Sequence, residues 1–164
     1  MKSTLFGFLA AVILGSAPSI LAADRPLFDV CVNPATAVVS NGFAPGSVLT
    51  AAGIIVPAGT IPNGGAATDC TDVAGARIGT FFVRGNIVLG LPAAAADDLA
   101  YVSWQFRVDN QGTVETTGPV KLTSPYFQTI AGATGSYKQF DNHRLLKTDV
   151  LDAGGFQIRL TPVQ

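Results

Sequence analysis

The clearest pattern in this chain is an alternation of apolar and polar residues from position 100 to position 108. The apolar members are Ala100, Val102, Trp104, Phe106 and Val108. Because successive side chains of a β-strand point to opposite faces, this period of two predicts a strand with one buried face. A second alternation, from Phe81 to Leu89, predicts another strand before it.

Turn-forming residues separate further predicted strands in the second half of the chain. The polar segment 109–112 predicts a hairpin turn, and residues 113–122 form the returning strand. Three more strands are predicted at about 126–131, 142–151 and 156–163. Strands at this spacing predict an all-β fold, either a closed antiparallel barrel or a sandwich.

The first residues have the composition of a secretory signal. Residues 1–23 combine Lys2, a short apolar run and small residues at Ala22 and Ala23, a pattern typical of a signal peptide. The run is too short for a transmembrane anchor, which needs about 20 apolar residues. We therefore expect residues 24–164 to form one secreted or periplasmic domain, with no membrane insertion after signal cleavage.

The exported part divides into two segments of different amino-acid composition. Residues 24–76 are rich in Ala, Gly, Pro, Thr and Asn, which predicts loops with short strands. Residues 77–163 carry the alternating patterns and should supply most of the barrel strands. The whole chain is 48% hydrophobic and 13% charged, so much of its surface must be buried, part of it between subunits.

Charge excludes one class of partner. Residues 24–164 carry nine basic and eleven acidic side chains, a net charge of −2. Nucleic-acid binding depends on neutralising phosphates with Lys and Arg, so no nucleic-acid partner is expected.

Cys31 and Cys70 are the only cysteines. In an exported chain such a pair indicates a disulfide, here closing a loop of 38 residues. A metal or redox pair is the alternative, but the spacing does not fit a CxxC motif. His143 is the only histidine, whereas a zinc site needs three or four ligands, so no metal is expected.

One segment carries a family resemblance. Residues 132–140 read Gly-Ala-Thr-Gly-Ser-Tyr-Lys-Gln-Phe, followed by Leu145, Lys147 and Thr148. This resembles the Gly-Gly-Thr-Gly-x-Phe-x-x-Ala turn of dirigent proteins and allene oxide cyclases, with the Leu-x-Lys-Thr strand that follows it. Gly132 and Gly135 would provide positive φ angles in a tight turn between strands. The resemblance covers about residues 77–163.

The resemblance implies an eight-stranded antiparallel barrel with a ligand cavity, often assembled as a trimer. Members of this family bind a reactive, hydrophobic small molecule and direct its coupling or cyclisation without a metal or an organic cofactor. Dirigent proteins direct radicals made elsewhere, and the cyclases close a ring from an unstable epoxide. We accordingly expect no cofactor here.

Two candidate catalytic residues follow from that alignment. Asp141 stands where dirigent proteins typically have a pocket arginine, and His143 stands where they usually have a pocket tyrosine. If both lie on one face of a strand, an imidazole beside a carboxylate could transfer protons near neutral pH. The alternative is a surface pair at the start of a strand.

Glu115 and Arg84 are two further candidates. If the Glu115 face of its strand looks into the barrel, desolvation would raise the pKa of the carboxyl and allow proton donation. The alternative is an outward Glu on a solvated wall. Arg84 could stabilise an oxyanion or pair with an acid such as Glu115.

Two functions of different classes remain open. The first is a secreted, cofactor-free barrel that binds an apolar small molecule and directs its cyclisation, isomerisation or stereoselective coupling, as an isomerase or cyclase would. The second is a non-catalytic barrel that binds a small molecule or lipid, or acts at the cell surface. Polar groups converging inside an apolar cavity would favour the first, and an interior filled with apolar side chains the second.

The sequence also predicts an oligomer. Phe81 and Phe82 are adjacent, as are Leu145 and Leu146, and one barrel interior cannot bury both members of each pair. A second subunit covering the exposed members predicts a homo-oligomer, most simply a trimer. The alternative is that residues 24–76 fold over the same wall.

Overall fold

The structure is a computed structural model that describes residues 25–64, 70–89, 99–121, 125–141, 145–152 and 157–163. Within these ranges the chain forms nine strands: β1 (Phe28–Val32), β2 (Val38–Val39), β3 (Val48–Pro57), β4 (Gly79–Ile87), β5 (Ala100–Val108), β6 (Gly112–Val120), β7 (Tyr126–Ala133), β8 (Leu145–Val150) and β9 (Gln157–Val163). Three short 3₁₀ helices, Pro34–Thr36, Ala74–Ala76 and Gly135–Phe140, are the helical elements of the described chain. The predicted signal segment 1–23 lies outside the described residues.

The strands close into an eight-stranded antiparallel barrel, as predicted. Neighbours follow the order β1-β9-β8-β7-β6-β5-β4-β3, and β3 pairs back with β1 to complete the ring. Phe28 lies opposite Leu160 on one side and opposite Pro57 on the other. The ninth strand, β2, pairs only with β3. Closure leaves the eight barrel strands without the unpaired edges that promote aggregation.

The period of two correctly predicts which side chains fill the barrel. All five apolar members of the β5 pattern are buried, and the polar residues between them are exposed. Inside, the Phe28 and Phe106 rings lie 5.4 Å apart, and Trp104 stacks on Phe81 at 5.7 Å and on Phe106 at 5.6 Å. Such ring pairs contribute about 0.5–1.5 kcal/mol each beyond the area they bury.

A 3₁₀ helix closes one end of the barrel, and here the prediction of a simple turn was only partly right. Gly135 has the expected positive φ of 59°, whereas Gly132 lies within β7 without one. The chain then forms the helix Gly135–Phe140, whose Tyr137 ring is buried 6.3 Å from Phe28. The Tyr137 hydroxyl donates to Gln111 Oε1 at 3.0 Å. A tight turn has too few residues to place this aromatic side chain in the end of the barrel.

The turn-rich N-terminal segment contributes two of the eight barrel strands. β3 spans ten residues, longer than the short strands expected from its composition. Its sequence lacks clean alternation, and most of its residues on both faces are partly buried. At Gly53 an added Cβ would meet the Cys31 carbonyl oxygen, so β1 and β3 approach too closely for any side chain.

A second, smaller core lies outside the barrel, between the β1–β3 wall and the described residues 57–64 and 70–78. It contains Cys31, Val56, Ile61 and Leu151. The predicted disulfide between Cys31 and Cys70 is present in this core, with the two Cα atoms 5.6 Å apart. Such a bond fits an oxidising compartment. No helix of the described ranges has the length and apolar character needed to cross a bilayer.

A buried ion pair fixes the start of the segment that covers the β1–β3 wall. The Asp29 carboxylate is fully buried and accepts hydrogen bonds from Arg159 Nε at 2.7 Å and Nη2 at 3.0 Å. The same carboxylate accepts the backbone N–H groups of Gly59 and Ile61. The pair therefore joins the barrel wall to the loop that covers it.

Candidate functional site

Two of the candidate catalytic residues lie on the outside of the barrel. Arg84 and Glu115 are exposed, and their strand neighbours Val83 and Val114 point inward. The outward alternative for Glu115 is therefore the one observed. Its Oε1 atom accepts a hydrogen bond from Gln105 Nε2 at 2.8 Å.

These two side chains share one open depression on the outer wall. Arg84 lies opposite Ser103, and Glu115 lies opposite Gln105 two residues further along β5. With Phe82 they line a depression of about 270 Å³. The structure thus brings Arg84 and Glu115 near each other, on the solvent side of the sheet.

Asp141 has a structural role that its sequence position did not reveal. It follows the 3₁₀ helix in a helical conformation, and its Oδ1 accepts the Ala133 backbone N–H at 2.9 Å. Because β8 begins at Leu145, Asp141 is not the strand residue that was predicted. His143 lies outside the described residues.

A different set of polar side chains lines the inside of the barrel. This inner polar arc follows four adjacent strands and consists of Trp104, Thr116, Gln128, Tyr126 and Thr148. Register places Trp104 opposite Thr116, and the Thr116 hydroxyl donates to Gln128 Oε1 at 2.9 Å. On the next strand pair, Tyr126 lies opposite Thr148. Five neighbouring polar groups therefore interrupt an otherwise apolar interior.

One member of the arc has no partner for its polar atom. Trp104 is 6% exposed, and its Nε1 atom has no hydrogen-bond partner in the described structure. Thr148 is fully buried, and its hydroxyl interacts with that of Tyr126 on the opposite strand. A buried polar atom without a partner costs about 1–3 kcal/mol, so such groups are rare and require an explanation. An indole N–H can only donate a hydrogen bond.

Burial determines the state of the one phenol in the arc. Desolvation raises the pKa of Tyr126 well above its ordinary value of 10, so the hydroxyl stays protonated across the physiological range. The described arc is therefore neutral and offers hydrogen bonds rather than charge. In the described parts of the chain, no group of three or more His, Cys, Asp or Glu side chains could hold a metal ion.

The alternating pattern contained a signal for the inner polar arc. Thr116 occupies the same strand face as Val114, Gln128 the face of Tyr126, and Thr148 that of Leu146. Polar residues at inward positions are unusual enough to mark a site. Glu115 and Arg84 were predicted because they are titratable, but neither lies on an inward face.

No protein-family model and no curated protein matches this chain. The resemblance to dirigent proteins and allene oxide cyclases thus depends on the motif at 132–140 and stays a prediction. The described residues form a closed antiparallel barrel with one disulfide, a neutral inner polar arc and a charged depression on the outer wall.

Proposed function

We propose that this protein is an exported barrel that binds an apolar small molecule carrying an oxygen acceptor, inside the barrel against the inner polar arc. The observation that supports this most directly is the unpartnered donor Trp104 Nε1. A carbonyl or hydroxyl oxygen would satisfy this donor, while the surrounding Phe, Leu and Val side chains would contact the apolar part of the ligand. The disulfide supports export, with residues 1–23 as the signal.

Of the two functional classes, non-catalytic binding has more support. Acid–base catalysis needs a titratable group within hydrogen-bond reach of the reacting atom. Arg84 and Glu115 lie on the outer wall, and Asp141 is hydrogen-bonded at the barrel end. Cyclisation or isomerisation is the second candidate, favoured by Tyr126, whose protonated hydroxyl could polarise a ligand oxygen.

The protein contains its own probe for this test, since Trp104 is the only tryptophan. Its fluorescence should change on titration with a medium-chain methyl ketone and respond far less to the alkane of equal length. Equal responses to the two compounds, or none to either, would contradict the proposal.

The Thr148→Val variant tests the contact itself. Removing this hydroxyl should weaken ketone binding about tenfold, the effect of one hydrogen bond of about 1.4 kcal/mol, and leave alkane binding unchanged. Thr117→Val, on the outer face of β6, is the matched control. Unchanged ketone affinity in Thr148→Val would contradict a ligand contact with the inner polar arc.

A further inference from the structure

We propose that the outer wall of β4, β5 and β6 is a self-association surface. Two copies related by a two-fold axis would pack these walls together, with Arg84 of each copy on Glu115 of the other. This inference is independent of the ligand proposed for the barrel interior.

The first observation is the apolar surface that this side of the barrel exposes. Phe82 is 46% exposed and Tyr101 is 56% exposed, and Phe127 and Leu145 continue the surface on β7 and β8. The described residues 57–64 and 70–78 pack on the β1–β3 wall instead. Soluble monomers usually avoid apolar patches of this kind, which are typical of interaction sites.

The second observation is the charge on the same wall. The Arg84 guanidinium has no ion pair or hydrogen bond with any other described residue, and the described partner of Glu115 is the neutral Gln105. Register places the two Cα atoms two strands and two residues apart, about 12 Å. Each copy therefore presents one unpaired positive group and one negative group, side by side.

These two observations together favour a second copy as the occupant. A two-fold axis in the plane of the wall, perpendicular to the line from Arg84 to Glu115, places each charge over its opposite. Both ion pairs then form at once, and the net charge of −2 on residues 24–164 adds little repulsion. With Phe127 on β7 included, the wall from β4 to β7 covers roughly 550 Å² as a flat sheet, about two thirds of the roughly 800 Å² per partner in a standard interface.

The oligomeric mass is the first test. Light scattering on residues 24–164 at micromolar concentration should give the mass of two chains. A mass of one chain would overturn the proposal. A mass of three chains would overturn the two-fold arrangement and support the trimer expected from the family resemblance.

Charge reversal tests the reciprocal pairing. Arg84→Glu and Glu115→Arg should each weaken self-association at least tenfold, and an equimolar mixture of the two variants should form a heterodimer. Lys138→Glu and Asp72→Arg, at exposed positions off the wall, are the matched controls and should remain dimeric. Circular dichroism verifies that each variant is folded.

Phe82→Thr provides a second test that does not alter charge. It should also weaken the dimer, because it removes an exposed ring next to the charged pair. Single charge variants that dimerise like the wild type, or a mixture that stays monomeric, would overturn the assignment. Ketone binding at Trp104 should persist in every one of these variants, so failure here is distinguishable from failure of the proposed ligand site.

Discussion

At the scale of single residues, the protein buries several polar groups and satisfies most of them with specific partners. Asp29 is the clearest case, because its carboxylate accepts two hydrogen bonds from Arg159 and two from the backbone of the covering loop. Removing one member of such a buried pair is costly, since the partner is left without compensation.

We predict that Asp29→Asn lowers the free energy of unfolding by about 3 kcal/mol, because Arg159 loses its counter-charge. Urea denaturation measures the change, and Asp72→Asn, on an exposed residue, should change stability by less than about 0.5 kcal/mol. Equal effects of the two substitutions would contradict a structural role for the ion pair.

Burial of Tyr126 makes a prediction about alkaline pH. Its folded pKa lies above the unfolded value of 10, so the folded state holds a proton that the unfolded state releases. This contribution to stability is complete below pH 10 and is lost as the pH rises further. Tyr126→Phe should therefore lose less stability between about pH 10 and 11.5 than the wild type. Tyr101→Phe, on the exposed wall, is the matched control, and an equally steep loss in Tyr126→Phe would refute the prediction.

At the scale of elements, the barrel depends on close backbone approaches at its ends. The segment after β7 meets the β5–β6 hairpin so closely that a Cβ at Gly135 would contact the Gln111 carbonyl oxygen. Gly135 also has a positive φ, which side chains other than glycine disfavour. One glycine thus determines where the Gly135–Phe140 helix begins and how Tyr137 enters the barrel.

Gly135→Ala should accordingly destabilise the protein by about 2 kcal/mol, from the positive φ and the clash together. Gly75→Ala is the control, since a Cβ there would have no neighbour within 4 Å and φ is not positive. Thermal unfolding compares the two variants. A Gly135→Ala protein as stable as Gly75→Ala would contradict the role assigned to this glycine.

At the scale of the whole molecule, two cores share one wall. The barrel interior lies on one side of β1 and β3, and the small core of Cys31, Val56, Ile61 and Leu151 lies on the other. The Cys31–Cys70 disulfide joins the wall to its covering segment. Linking distant parts of the chain restricts the unfolded state and so stabilises the folded one.

Reduction of this disulfide should lower the free energy of unfolding by about 3–4 kcal/mol. Urea denaturation with and without reductant measures this, and the Cys31→Ser/Cys70→Ser double variant should match the reduced protein. Alkylation of the untreated protein followed by mass spectrometry should label neither cysteine. Labelling of both would remove the basis for placing the protein in an oxidising compartment.

The sequence by itself determined the strands of the second half and the side chains of β5 that enter the barrel. It could do so because a period of two along β5 is a local property of the backbone. The disulfide was also predictable, since only one pairing of two cysteines exists. The alternation of side chains along a strand also placed Phe81 and Phe82 correctly on opposite faces.

Only the tertiary structure decided the features that depend on distant neighbours. Pairing of β1 with β3 closes the ring through residues whose composition predicted loops with short strands, and β3 is longer than those predicted strands. The alternation along β6 did not show which of its faces looks into the barrel, so Glu115 was a candidate catalytic residue. Closure of the barrel places Glu115 on the outer wall, as it does Arg84. The unpartnered state of Trp104 Nε1 arises when four strands come together, and no stretch of sequence records which hydrogen bonds that assembly leaves unmade.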